Sequence, residues 1–372
     1  MVGVLEKRNR ILSLMRRITL EDGYFTISGI AGLIDIPRST VQDWINRLIE
    51  DECIILDSPG KGREPAHYIA RTALPQTICK RIFTTCDEDL IEIYHECMSS
   101  GCASFCKHHH GRAGGALTSV RRDGTLLRER GWLGGTPAEV GISPLPAVSV
   151  VSIRREGDQI IQTIRSFGGP AYSLTEMMSR AKGVLDVRTH RRGNIVEGDV
   201  YTKALRLVVI GVDDTDSDGD GATFALAYAL LERLGKMDGV MPIAHHVAML
   251  WPGIEEKTAG NSCSLIEFAA EEDQIQEIID AAVSFVAGES ASPEWGIAVK
   301  VGLSRPTALR SYGAQVRSER ISIEDAKTMA EEHGIHLAGG RGVIGALGAV
   351  SLHGCGEEIL LNPGLPVPDY RS

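Results

Sequence analysis

Five aspartates, Asp213, Asp214, Asp216, Asp218 and Asp220, crowd eight consecutive positions of this chain. They follow the apolar run Leu207 to Val212, which reads as a buried strand, and precede an apolar helix that opens near Ala222. Like charges packed at the end of a strand repel one another, so the fold gains from this placement only if a cation joins them. Hard oxygen ligands of this kind suit Mg²⁺ or Mn²⁺. Gly219, Gly221 and the amides that open the next helix add N–H groups of the sort that cradle phosphate. A metal beside a phosphate is nucleotide chemistry.

Two plainer readings stand beside this one. Asp216, Asp218, Asp220 and Gly221 fit the opening of an EF-hand calcium loop. Its bidentate glutamate position falls on Ala227, however, and on Ala225 in the register that starts at Asp214. The other reading is a solvated acidic turn that caps a helix.

The chain that must position these residues has 372 residues, enough for two or three domains. At 43% hydrophobic and 24% charged it is globular in composition, which excludes wholesale disorder. A net charge of −10 speaks against a protein coated in nucleic acid but leaves room for one basic face. There is no apolar run of about eighteen residues and no secretory signal pattern, so a soluble cytoplasmic protein without a membrane partner is expected. Eight cysteines, unevenly spread, point to thiols or metal ligands before disulfides.

Residues 1–75 have the order of a winged helix-turn-helix. A first amphipathic helix carries Leu5, Ile11, Leu12, Met15 and Ile18, and a short second one spans 26–34. The turn Asp35-Ile36-Pro37 leads into a third, with Ser39 as N-cap and its end near Glu50. Val41, Trp44, Ile45, Leu48 and Ile49 form its apolar stripe. Arg38, Thr40, Gln42, Asp43, Asn46 and Arg47 are left outward, where they could reach base edges. Residues 54–70 read as a hairpin wing whose tip carries Lys61 and Arg63. The segment resembles archaeal and bacterial winged-helix transcription regulators, which implies double-stranded DNA as partner and a homodimer. Ten Lys/Arg balance ten Asp/Glu here, so a protein-contact role stays open as well.

Residues 76–204 read as an α+β block of unassigned role. Cys97, Cys102, Cys106 and His108, with His109 and His110, offer ligands for Zn²⁺, at spacings that match neither a zinc ribbon nor a C2H2 finger. Alternatively the cysteines are small buried residues on a helix from Asp89 to Ser99 and its successor, or an oxidation-sensitive thiol cluster. Alternation over 147–166 predicts two antiparallel strands around Glu156-Gly157-Asp158, followed by a helix from Ser173 to Lys182 and the basic residues Arg188, Arg191 and Arg192.

From 205 onward the pattern gives strand 205–212, helix 222–235, strands 242–250 and 262–269, helix 272–288 and strand 296–302. That is the βαββαβ order of a ferredoxin-like domain. Two or three helices follow, ending in the glycine-rich stretch 339–348, and the domain extends to 362. The fold class is therefore multidomain α/β (α+β): a winged helix, an α+β block and a nucleotide-binding domain. Lys257 offers a point charge, Gly260 close backbone approach and Asn261 a hydrogen bond to base, ribose or phosphate. Arg341, ahead of the last helix, is suited to clamp a phosphate.

Three motifs occur in order: Gly-Val-Asp-Asp-Thr-Asp-Ser (211–217), Lys-Thr-Ala-Gly-Asn (257–261) and Arg-Gly-Val-Ile-Gly-Ala (341–346). Over roughly 205–352 the chain thereby resembles the kinase domain of archaeal tRNA-isoleucine agmatinylcytidine synthetase and the related domain of methanogenesis marker proteins. The resemblance implies ATP and Mg²⁺ at Asp213, Asp214 and Asp216. It also implies phosphorylation of a threonine at the start of the following helix, where Thr223 stands. The synthetase holds its tRNA with an OB-fold and a cysteine ribbon. Neither pattern is seen after 352, so tRNA agmatinylation itself is not expected.

The expected function is a Mg-ATP-dependent phosphotransferase or ATPase-like domain joined to a nucleic-acid-binding winged helix. The alternative is a transcription regulator that binds a nucleotide as effector and turns nothing over.

Overall fold

The computed structural model describes residues 2–62, 64–73, 79–167, 177–255, 257 and 260–368. Three helices, α1 (Val2–Asp22), α2 (Ile27–Ile34) and α3 (Arg38–Glu50), lead into an antiparallel ribbon of β1 (Ile54–Ser58) and β2 (His67–Ala70). Thr26 caps α2 by accepting the Gly29 amide at 3.1 Å, and Asp35, in the left-handed region at φ 49°, ends it. Ile11, Met15, Ile30, Val41, Ile45, Leu48 and Ile54 pack as one core. Buried Thr19 ties α1 to the ribbon, donating to the Met15 carbonyl at 2.8 Å and accepting the Ala70 amide at 3.1 Å.

Two local details differ from the pattern that the sequence predicts. Ser39 is not an N-cap: α3 begins at Arg38 with Pro37 at the cap position and no side-chain cap, since proline's fixed φ already suits a helix start. Leu5 on α1 and Ile49 on α3 are exposed rather than part of the packed stripes.

The other thirteen strands among the described residues join in one sheet. The middle block contributes β3 (Cys79–Asp87), β4 (Leu90–Cys97), then helix α4 (Ser100–His110), β5 (Leu117–Asp123), β6 (Leu126–Trp132), β7 (Gly134–Gly135), β8 (Val148–Glu156), β9 (Gln159–Phe167) and β10 (Val184–Arg192). The strand pair predicted around Glu156-Gly157-Asp158 is present as β8 and β9. The predicted helix over Asp89–Ser99 is instead β4, paired between β3 and β6. Five consecutive residues of β4, Ile91 to His95, are buried. Both faces of the strand are covered, so the period-two alternation that betrays a half-exposed strand is missing. Of the helix expected over 173–182, residues 173–176 lie outside the described residues and 179–182 form no helix.

The hub is β11 (Ile195–Asp213), nineteen residues long. Its first half pairs with β9 and β10, its centre runs parallel to β3 at Ala204–Thr84, and its second half pairs with the C-terminal strands. The expected division at 204/205 thus falls inside one continuous strand. After β11 come α5 (Thr223–Leu234), β12 (Met241–Met249), β13 (Ser262–Ala270), α6 (Ile275–Glu289) and β14 (Gly296–Val301). Then follow α7 (Thr307–Gln315), α8 (Ile323–Glu332), β15 (His336–Gly339), α9 (Val343–Ser351) and α10 (Glu357–Leu361). Strand order in this part is β12-β13-β11-β14-β15, antiparallel throughout. The four-residue edge strand β15 stands where the sequence pattern predicts helices.

Alternation along β11 builds two cores. Val208, Ile210 and Val212 face α5 and α6, while Leu207 and Val209 face α7, α8 and α9. The acidic loop therefore leaves the sheet at the C-terminal end of its central strand. No helix among the described residues is long and apolar enough to cross a membrane.

Candidate functional site

The acidic loop splits into an inner and an outer part. Asp213 is buried and Asp214 and Asp216 are half-buried, whereas Asp218 and Asp220 are exposed. Each inner carboxylate goes a different way. Asp213 Oδ2 lies against the first turn of α9, where an ideal Cβ on Gly345 would come within 1.7 Å of it. Asp214 takes a left-handed φ of 52° and sets its carboxylate 3.6 Å from Arg341 Nε. Asp216 accepts the Thr223 hydroxyl at 2.8 Å, at the first residue of α5. Two helix N-termini, partial positive charges, thus border the loop.

The electrostatics match this crowding. Burial, with Asp214 and Asp216 close by, pushes the Asp213 carboxyl well above the usual range. Burial also raises Asp214; Arg341 opposes that shift and Asp216 adds to it. The loop is braced from behind by the Ala291 amide and the Ser290 hydroxyl, which donate to the Thr215 carbonyl at 2.9 and 3.1 Å. Gly221, at φ 81°, makes the turn into α5.

The glycine-rich stretch proves to be a packing device. At Gly211 a Cβ would meet the Ala346 carbonyl oxygen at 2.0 Å, so α9 lies directly on the β11 backbone. This contact presents the α9 N-terminus and Arg341 to the aspartates. Glu294, which reasoning from sequence did not single out, accepts the Arg341 amide on its carboxylate at 3.0 Å and the Gly342 amide on its carbonyl at 2.7 Å. A lone glutamate in a loop gives no signal of such a role.

Other candidates fall elsewhere. Lys257 donates to the Pro252 carbonyl and Asn261 to the Trp251 carbonyl at 2.6 Å, so both are engaged within their own loop. On α3, Arg38, Thr40, Asn46 and Arg47 are exposed and Gln42 half-buried, donating to Asn46 at 2.9 Å. Lys61 lies exposed at the ribbon turn, and Arg63 lies outside the described residues. Cys97 ends β4 and packs with Cys102 and Cys106 of α4 around Ala103 and Leu127. His108 instead stands 3.3 Å from Arg112. Among the described residues no three His, Cys, Asp or Glu side chains are gathered to hold a metal. Cys97, Cys102, Cys106 and His108 therefore form no ready ligand set, because His108 leaves α4 on a different side from Cys106. Asp213, Asp214 and Asp216 form no closed cage either.

Residues 209–294, which carry the acidic loop and α5, match the family described as the TiaS TCKD domain. An uncharacterised protein of Methanocaldococcus jannaschii is 24% identical over 280 residues, 74% of this chain and 93% of that protein. The tRNA 2-agmatinylcytidine synthetases TiaS of Pyrobaculum neutrophilum and Pyrococcus horikoshii, named for an isoleucine tRNA, are each 31% identical over 153 residues, 39% of this chain. The chain spans about a third (35%) of the length of those synthetases. Among solved structures, the complex of TiaS with its tRNA and ATP is 26% identical with a TM-score of 0.35, covering 40% of this chain and 36% of that one. Apo TiaS is 22% identical with a TM-score of 0.34, covering 39% and 35%. The C-terminal part of the chain is thus TiaS-like.

Proposed function

We propose that the acidic loop is a Mg-ATP site and that the protein is an ATP-using phosphotransferase acting on RNA. The observation that carries this reading is the hydrogen bond from Thr223 to Asp216, set beside the Asp214–Arg341 pair. A hydroxyl that donates to a carboxylate at a helix N-terminus is arranged as a phosphoryl acceptor with its base, and the Asp214–Arg341 pair brings a cation to the same loop. Asp213 and Asp214 would hold Mg²⁺; the residues fit it, because their burial and the repulsion among neighbouring aspartates, which raise both carboxyls, are what a cation offsets, and one or two carboxylates with phosphate and water commonly complete its shell. The ion would neutralise charge on the phosphates. Arg341 would neutralise the transferring group, and Lys257 and Asn261 would serve the nucleotide after leaving their loop carbonyls. In a first step the Thr223 oxygen would form a bond to the γ-phosphorus as its bond to the β-phosphate oxygen breaks, ADP leaving and Asp216 taking the hydroxyl proton; an RNA oxygen would then take the phosphoryl group as the Thr223–phosphorus bond breaks and the proton returns to Thr223.

We further read the N-terminal helices and ribbon as a winged helix, and the order β12-β13-β11-β14 as ferredoxin-like. The likeness to synthetases named for a tRNA supports RNA over double-stranded DNA as the nucleic acid. One observation favours a second reading: Thr223 is only 8% exposed, which suits a nucleotide bound as effector without turnover. Intact-mass measurement after incubation with Mg-ATP separates the two. The phosphotransferase reading expects a phosphate adduct on Thr223, absent in Thr223→Val and Asp216→Asn. A bound nucleotide with no adduct leaves the effector reading.

A further inference from the structure

Where the middle block meets the C-terminal helices there is a cavity of about 1620 Å³. It is separate from the aspartates. Asp213 faces Gly296 across the sheet, whereas the Leu207 carbonyl accepts the Gly302 amide at 2.8 Å, next to the cavity wall at 303–307. Six residues of extended strand at about 3.3 Å each put the two places roughly 20 Å apart.

The inner carboxylates of this cavity are already engaged. Arg128 forks onto Glu267 at 2.7 and 3.1 Å, and His353 reaches the same carboxylate at 2.9 Å. Arg130 donates twice to Glu92, at 2.8 and 3.1 Å. Asp87 accepts the amides of Leu303 and Ser304 at 3.1 and 3.3 Å. The other acidic residues that line it, Glu88, Asp89, Asp123 and Glu357, are solvent-exposed.

Arg305 differs from its neighbours. Its Nε is buried with no hydrogen-bond acceptor, and no carboxylate lies within ion-pair distance among the described residues. The guanidinium sits over Gly354, where a Cβ would come within 2.2 Å of Nη1. Arg130 and Arg121 add positive charge around it, opposed by Glu92 and Glu267, which are already held by Arg130 and Arg128; burial together with Arg305 pushes the nearby Lys300 ammonium down to about 8. A buried guanidinium N–H with no acceptor is costly to keep, and an anion at the half-buried group would offset that cost.

We propose that this cavity is a second ligand site, in which Arg305 receives a phosphate group of the ligand. Arginine's planar fork matches phosphate oxygens bidentately, and Arg121, Arg122 and Arg310 line the same space. Trp132, 46% exposed at the cavity, offers a ring on which a base can stack. A free nucleotide and an RNA strand share this chemistry.

Titration calorimetry of the full chain with inorganic pyrophosphate, in EDTA and without Mg²⁺, tests the site apart from the aspartate loop. Saturable binding is expected, at least tenfold weaker in Arg305→Met and unchanged in Asp214→Asn. Arg305→Lys keeps the charge and loses the fork; it should fold as the native chain does and bind with intermediate affinity. No binding to the native protein, or equal affinity in the native chain and both Arg305 variants, overturns the proposal. Adenosine monophosphate and a short oligouridylate, each competed against pyrophosphate, identify the source: the one that displaces it through Arg305 is the natural class. Displacement by neither also overturns it.

Discussion

The Asp213 carboxylate occupies the space that a side chain at position 345 would need, with Oδ2 only 1.7 Å from an ideal Cβ there. Gly211 thus seats α9 on β11, and Gly345 leaves the room for a carboxylate at the helix N-terminus.

Gly345→Ala forces that carboxylate to move, and Leu250 blocks the other side at 3.0 Å. Urea unfolding is expected to show a loss of about 1–3 kcal/mol from overpacking, together with weaker Mg-dependent nucleotide binding. Gly288→Ala is the control, because a Cβ there meets nothing within 4 Å. It should be neutral or stabilise by up to ~1 kcal/mol through helix propensity.

The Arg128–Glu267–His353 cluster makes stability depend on pH. Burial pushes His353 down to about 4, against the pull of Glu267. An unfolded histidine titrates near ~6.5, so between that value and about 4 the unfolded chain holds more protons than the folded one. This contribution is fully present above the upper value and is lost as pH falls through the window. Replacing the histidine should remove a pH-dependent loss of the order of 3 kcal/mol. His95 is shifted in the same direction by burial and His110 in the opposite one by Glu129, so the comparison of His353→Gln with the native chain is the informative one. Denaturant midpoints measured from pH 7 to 4 check it.

If α3 carries the RNA contacts proposed above, the exposed Arg38 and Arg47 would neutralise phosphates as well as reach bases. Replacing both with alanine should weaken RNA binding in fluorescence anisotropy and lower the log–log salt slope by roughly two, about one per lost contact. An unchanged slope would move the nucleic-acid surface elsewhere.

Much of the C-terminal order could be read in advance, because apolar runs of strand length alternate there with longer stretches of helical spacing and are set off by turn residues. Val208, Ile210 and Val212 alternate with Leu207 and Val209, and both sets are apolar because the sheet is covered on both faces. The same double coverage hid β4, whose unbroken burial imitates a helix. The acidic loop announced itself through charge, which local sequence displays. What stayed hidden depends on long-range contact: Glu294 beneath Arg341, Gly345 against Asp213, and the cavity around Arg305, whose lining comes from segments more than 200 positions apart. No periodicity or motif records such meetings. The proposed ligands Lys257 and Asn261 illustrate the converse, a recognisable motif whose side chains point into their own loop.

The proposed Mg-nucleotide site stands or falls with Asp214 and its partner Arg341. Titration calorimetry with ATP, with and without Mg²⁺, on the native chain and on Asp214→Asn tests it most directly. Binding that requires Mg²⁺ and weakens at least about tenfold, ~1.4 kcal/mol, in the variant is the predicted result. Equal ATP affinity in the two proteins, or binding indifferent to Mg²⁺, would contradict it.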